Sequence, residues 1–98
     1  MIYKTVLVTG ASSGIGKAVA ELLAKQGVRL ILLARRRHKL MELSAALQSK
    51  TSCYVCACDL ADTHSISEAI DKIPHDFSDI DGLINCAGGH LYTSDDAD

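Results

Sequence analysis

The residues equipped for chemistry fall in a few short stretches. Thr9-Gly10-Ala11-Ser12-Ser13-Gly14-Ile15-Gly16 places three glycines and two serine hydroxyls in one loop. Glycines at this spacing let a backbone come close to an anion, and the N–H groups of a following helix can then hold phosphates. Arg35-Arg36-Arg37 with Lys39 is the one basic cluster. Asp59-Leu60 and Asn85-Cys86-Ala87-Gly88 each follow an apolar run. Cys53, Cys56 and Cys58 form a Cys-x-x-Cys-x-Cys series, with Cys86 apart from them.

The intervening sequence supplies the elements that must position these groups. Lys4 to Thr9 is a β-branched-rich run ended by Gly10, which predicts a buried strand. From Gly14 to Gln26, Ile15, Ala18, Val19, Leu22 and Leu23 recur at helical spacing, and Gly27 stops the helix. Arg29 to Ala34 predicts a second strand, and Arg36 to Ser49 a helix with Leu40, Leu43, Ala46 and Leu47 on one face. Ser52 to Cys58 predicts a third strand. A third helix starts near Asp62 or Ser65, where Ser65 and Glu68 fit a capping box, and ends at Pro74. Its expected buried stripe is Ile66, Ala69, Ile70 and Ile73. Gly82 to Asn85 predicts a fourth strand.

Apolar strands alternating with amphipathic helices specify an α/β fold, a Rossmann-type doubly wound parallel sheet in the order β-α-β-α-β-α-β. Right-handed crossovers place the first strand centrally, the second and third to one side and the fourth to the other. The switch point then lies between the first and fourth strands, where such sheets bind ligands at the strand C-terminal ends. The glycine loop sits there, after a strand and before a helix, which is the context a dinucleotide site requires. Gly10 turns the chain, Gly14 admits a pyrophosphate, and Gly16 lets the helix pack close to the sheet.

At these residues the chain resembles the short-chain dehydrogenase/reductase family. Thr-Gly-x-x-x-Gly-Ile-Gly is similar to that family's glycine motif, and two further motifs follow in order. Asp59 matches an aspartate that accepts from the adenine amine, and Asn85-Cys86-Ala87-Gly88 resembles the family's Asn-Asn-Ala-Gly, with Cys86 in place of the second asparagine. The resemblance implies a Rossmann fold binding NAD or NADP. It implies cofactor-binding roles for Gly10, Ser12, Ser13, Gly14, Ile15, Gly16, Arg35, Arg36, Asp59, Leu60, Asn85, Ala87 and Gly88. Residues 34–37 and 73–81 are also similar to the NADP-dependent 3-hydroxy acid (serine-type) dehydrogenases within the family.

An NAD site normally has Asp or Glu at the end of the second strand. Ala34 stands there, followed by Arg35 and Arg36, whose guanidinium groups can pair with a 2′-phosphate. NADP is therefore expected over NAD. Cations at a helix start oppose its dipole, so a nearby phosphate accounts for them better than a solvated helix end does.

The resemblance also implies a catalytic Tyr-x-x-x-Lys pair with a serine, in which tyrosine is the general acid/base. Four positions beyond Tyr3, Tyr54 and Tyr92 stand Leu7, Cys58 and Asp96, so none supplies it. The expectation is one domain over residues 1–98, a dinucleotide-binding unit incomplete at its C-terminus and inactive alone. In the complete protein it would transfer hydride between NADP(H) and a small alcohol or carbonyl substrate. The alternatives are a non-catalytic nucleotide-binding module and a truncated product that acts by association.

With 98 residues, a net charge of −2, 48% hydrophobic and 22% charged residues, the chain reads as an ordinary globular piece. No basic excess suggests nucleic acid, and no apolar run is long enough for a membrane span or a signal peptide. A cytoplasmic protein is expected. The cysteines lack a second ligand pair for zinc, and strand alternation turns Cys53 away from Cys56 and Cys58, so buried reduced thiols are expected. An unpaired edge on the fourth strand leads to an expectation of self-association or a homo-oligomer.

Overall fold

The computed structural model describes residues 4–12, 14–59, 61–77 and 79–86. Four strands, β1 (Thr5–Thr9), β2 (Arg29–Ala34), β3 (Cys53–Ala57) and β4 (Gly82–Asn85), form one sheet in the order β3-β2-β1-β4. Every pairing is parallel, with Leu7 opposite Ile31 on one side and opposite Leu83 on the other. The expected doubly wound topology is present, with the switch point between β1 and β4.

Helices α1 (Gly14–Lys25) and α2 (Arg37–Leu47) cover one face, and α3 (Thr63–Asp71) with the short 3-10 turn His75–Phe77 covers the other. The first face buries Val6, Val8, Leu30 and Leu32 against Ala20, Leu23, Ala24, Leu40, Leu43 and Leu47. The second packs Leu7, Ile31 and Leu33 with Cys56 and Cys58, flanked by Tyr54, Ile66, Ala69 and Phe77. Each large apolar side chain removed from water here contributes about 1.5–3 kcal/mol. Alternation along β3 does part Cys53, on the α1/α2 face, from Cys56 and Cys58 on the α3 face.

Three packing expectations need correction. In α1 the buried residues are Gly16, Ala20, Leu23 and Ala24, while Ile15 is 75% exposed and Leu22 and Ala18 also face outward. The reason is steric: the helix approaches the strand β1 loop so closely at Gly16 that a stripe of small residues, not the largest apolar ones, must face inward. In α2, Leu40, Leu43 and Leu47 are buried but Ala46 is exposed. In α3 the expected Ile66 and Ala69, with Ile73 just beyond the helix, are partly buried against the sheet, but no residue is fully buried and Ile70 is 49% exposed.

The cap of α3 is Asp62, whose carboxylate accepts from the N–H groups of His64 and Ser65 at 3.0 and 3.4 Å. The Ser65–Glu68 capping box does not form. Ser65 Oγ instead accepts from the Asp59 N–H at 3.4 Å, and Glu68 pairs with His64 at 3.8 Å on the surface. No helix among the described residues is long and apolar enough to cross a membrane.

Candidate functional site

The C-terminal ends of β1, β2 and β4 converge on the loop between β1 and α1. Gly10 leaves β1 with φ +67, and its N–H donates to the Leu33 carbonyl at 2.9 Å; the Ala11 N–H reaches the same carbonyl at 3.4 Å. The loop is thus pinned to the end of β2. At Gly16, a Cβ would stand 2.0 Å from the Gly10 carbonyl oxygen and 2.6 Å from its carbon. Only glycine permits this approach, which brings the first turn of α1 down onto the loop. The close packing expected of Gly16 is therefore present, made against the loop backbone.

Gly14 differs from Gly16 in both backbone and surroundings. Its φ of +57 lies in the left-handed region, and a Cβ there would meet nothing within 4 Å. The space above Gly14 is open, as a pyrophosphate seat at a helix N-terminus requires. Ser12 is 8% exposed, and its Oγ is buried without a hydrogen-bond partner. An orphaned buried hydroxyl costs about 1–3 kcal/mol in the unliganded chain, which a polar ligand at the loop would offset. Ile15 presents an exposed apolar side chain beside it. Ser13 lies outside the described residues.

Across the switch point, Thr9 Oγ1 donates to Asn85 Oδ1 at 2.6 Å. This orients the Asn85 amide at the end of β4, and the Cys86 N–H continues the pairing by donating to the Thr9 carbonyl at 3.2 Å. Thr9 was part of the glycine motif in the sequence but had no role there; its position directly across from Asn85 in the parallel register supplies one. Cys86 packs against the α1/α2 core, so the thiol takes an apolar place. Ala87 and Gly88 fall outside the described residues.

Asp59 is exposed just past β3, after Cys58 donates its N–H to the Ala34 carbonyl at 2.9 Å. One of its carboxylate oxygens accepts from the Ala61 N–H at 2.9 Å, which holds the side chain in a turn at the sheet's ligand end. Leu60 is outside the described residues. Arg35 is exposed and Arg36 half-buried where β2 gives way to α2, with Arg36 as the extended N-cap residue. Gly10, Ser12, Gly14, Ile15, Gly16, Arg35, Arg36, Asp59 and Asn85 thus all stand at the same end of the sheet.

The cysteines stay out of this constellation. All four are free thiols, and burial pushes Cys53 up to about 11 and raises Cys56, Cys58 and Cys86. Cys56 is raised further by Cys58, and Cys58 by the charge of Asp59. Thiols held protonated at neutral pH are poor nucleophiles and poor metal ligands. Tyr54 is likewise structural: its hydroxyl donates to the Lys72 carbonyl at 3.1 Å and its ring lies 6.0 Å from that of Phe77.

A family model of short chain dehydrogenases matches residues 4–97. The NADP-dependent 3-hydroxy acid dehydrogenase of Schizosaccharomyces pombe is 47% identical over 93 residues, which is 92% of this chain and 36% of that protein. Serine 3-dehydrogenase of Rhizobium radiobacter is 40% identical over 90 residues, covering 92% of this chain and 35% of that one. Among solved structures, an alcohol dehydrogenase from the archaeon Thermococcus sibiricus, complexed with 5-hydroxy-NADP, matches with a TM-score of 0.77 at 32% identity, over 82% of this chain and 35% of that chain. The chain spans about a third of the length of the curated relatives it matches.

Proposed function

Because the chain belongs to the short-chain dehydrogenase family, we propose that it is the NADP-binding portion of an oxidoreductase that moves hydride between NADP(H) and a small alcohol or carbonyl substrate. The observation that carries this reading is the loop between β1 and α1, where an open left-handed Gly14 adjoins the buried, unsatisfied Ser12 hydroxyl. In this reading Gly10, Ser12, Ser13, Gly14, Ile15 and Gly16 receive the pyrophosphate and its flanking ribose. Asp59 and Leu60 border the adenine, and Asn85, Ala87 and Gly88 lie beside the nicotinamide ribose. Arg35 and Arg36 meet the 2′-phosphate, with Arg35 the larger contributor. The two relatives and the structure named above carry NADP or act on hydroxy acids and alcohols, which supports the cofactor and the substrate class.

Bound NADP supplies the hydride donor or acceptor, and this chain binds and orients it. These 98 residues include no Tyr-x-x-x-Lys pair, and in this reading their part in the reaction is to bind and orient the cofactor. The second reading, a non-catalytic NADP-binding module, keeps the same cofactor contacts. A cytoplasmic setting goes with both readings, and the four reduced cysteines suit it.

Calorimetric titration tests the cofactor assignment. Arg35→Ala is expected to weaken NADP by about tenfold to a hundredfold, the worth of one charge-assisted phosphate contact, and to leave NAD unchanged. Equal losses for both cofactors would make Arg35 a structural residue. A longer reading frame carrying Tyr-x-x-x-Lys would separate the enzyme from the module.

A further inference from the structure

The chain runs on past β4, at one edge of the sheet, and leaves β3 at the other. In the ladder between β2 and β3, the Leu30 N–H donates to the Ser52 carbonyl at 3.0 Å and the Cys58 N–H to the Ala34 carbonyl at 2.9 Å. With Leu30 opposite Cys53 and Ala34 opposite Ala57, the backbone groups of Ser52, Tyr54, Cys56 and Cys58 are those turned toward β2. The N–H and C=O groups of Cys53, Val55 and Ala57 are therefore turned outward, where no further strand lies among the described residues.

Sheet edges are ordinarily guarded by a charge, a proline, a bulge or a covering helix. From Ser52 to Cys58 there is no charged residue, no proline and no glycine, and β3 keeps an unbroken register with β2. Nor does α3 close over the edge. A cleft of 210 Å³ there is lined by Val55 and Ala57 of β3 and by Ser65, Glu68 and the C-cap Lys72 of α3. Glu68 and Lys72 are exposed. Their level along the strand is fixed by two bonds, from Cys56 Sγ to the Ala69 carbonyl at 3.6 Å and from the Tyr54 hydroxyl to the Lys72 carbonyl at 3.1 Å. Val55 thus stands level with the stretch between Glu68 and Lys72.

We propose that the β3 edge is a self-association surface, at which a second copy of this chain pairs antiparallel about a two-fold axis through Val55. Antiparallel pairing joins residues whose backbone groups point outward on both strands. An axis at Val55 matches them along the whole strand: Val55 meets Val55 of the second copy and Cys53 meets its Ala57, each pair exchanging both N–H···O bonds. The opposed side chains carry no charge. The same axis reverses α3, so Glu68 of each copy lies toward Lys72 of the other. This reciprocity selects a second copy over an unrelated extended peptide, and it places self-association at β3, away from the β4 edge. It is independent of the cofactor reading.

Sedimentation equilibrium on this chain tests the surface, and a concentration-dependent dimer is expected. Val55→Pro removes an outward N–H that β2 does not use, and should weaken the dimer about a hundredfold with the circular dichroism kept. A charge-reversal cycle leaves the strand untouched. Glu68→Lys and Lys72→Glu should each weaken the dimer about tenfold, and the double variant should restore it to within about twofold. Leu83→Lys at the opposite edge, where Leu83 is 65% exposed, should change nothing. The proposal is overturned by a wild-type chain that stays monomeric at about 1 mM. It is equally overturned by a dimer that Leu83→Lys dissociates and the β3 variants do not, or by a double variant no tighter than the single ones.

Discussion

The two ends of the sheet are finished differently. At the N-terminal end of the strands the polar groups close on one another. The Asp81 carboxylate accepts from the N–H groups of both Lys4 and Thr5, the Asp81 N–H donates to the Thr5 carbonyl at 2.8 Å, and Arg29 Nη1 donates to the Asp76 carbonyl at 2.7 Å. Thr51 Oγ1 adds a bond to the Val28 carbonyl at 2.8 Å. At the C-terminal end Ser12 is left unsatisfied and Gly14 faces open space. Thr5 Oγ1 apart, the polar groups of the first end find partners within the chain, whereas the second leaves both an unpartnered hydroxyl and open space at its loop. In the proposed reading the second end is where NADP is received.

Breaking the receiving end mechanically should have the largest effect. Gly16→Val forces a side chain into the Gly10 carbonyl, and the loop must leave its place on β2. A loss of about 3 kcal/mol in urea denaturation is expected, together with loss of NADP binding. Unchanged stability would mean that the helix can lift away freely.

Gly14→Val should abolish NADP binding with helical content by circular dichroism largely kept. Since φ +57 also strains a β-branched residue by about 1–2 kcal/mol, Gly14→Asn is the sharper variant, because asparagine tolerates that backbone. Its side chain still enters the open space, so binding should again be weakened. Wild-type affinity in Gly14→Asn would confine the role of Gly14 to its dihedral angles.

The closed end is tested by acid. The N–H groups of Lys4 and Thr5 hold the Asp81 carboxyl below its ordinary range, with smaller help from the charges of Lys4 and Arg29. A depressed folded-state value contributes stability above the unfolded value of about 3.9, and that contribution drains away as pH falls through the folded value. Asp81→Asn should thus be less stable than wild type at neutral pH, and the gap should narrow steadily below about pH 4. A pH-independent gap would assign the effect to packing.

The smallest effect is also the cleanest comparison. Thr5 Oγ1, like Ser12 Oγ, is buried without a partner, yet it sits in the closed end. Thr5→Val should raise stability by about 1 kcal/mol and leave NADP affinity alone. Ser12→Ala should give a similar gain in the free chain but cost affinity. If the two variants behave alike in titration, the orphaned hydroxyl of Ser12 has no ligand role.

Much of this was legible beforehand because it depends on local pattern. Strand-length apolar runs, glycines at both ends of the loop and the order of motifs are enough for the topology and for the residues gathered at the switch point. What the pattern missed depends on how elements approach one another. The phase of α1 follows from the Gly16–Gly10 contact, and no periodicity count gives weight to glycine over Ile15 or Leu22. Asp62 and Ser65 were equal candidates for the α3 cap until Asp59 claimed the Ser65 hydroxyl. The role of Thr9 needed the β1–β4 register, and the outward set of Cys53, Val55 and Ala57 needed the β2–β3 register.

The Leu33 carbonyl has a consequence of its own. It takes bonds from Gly10 and Ala11 near the end of β2, two residues before Arg35. The glycine loop is therefore tied by hydrogen bonds to the strand that leads into the arginine segment. In the proposed reading NADP spans both segments, so the position of β2 sets the distance between its two phosphate contacts. Remote substitutions that tilt β2, such as enlargement of Ala20 or Ala24 beneath it, would then read out as altered cofactor preference even though they touch neither ligand-facing group.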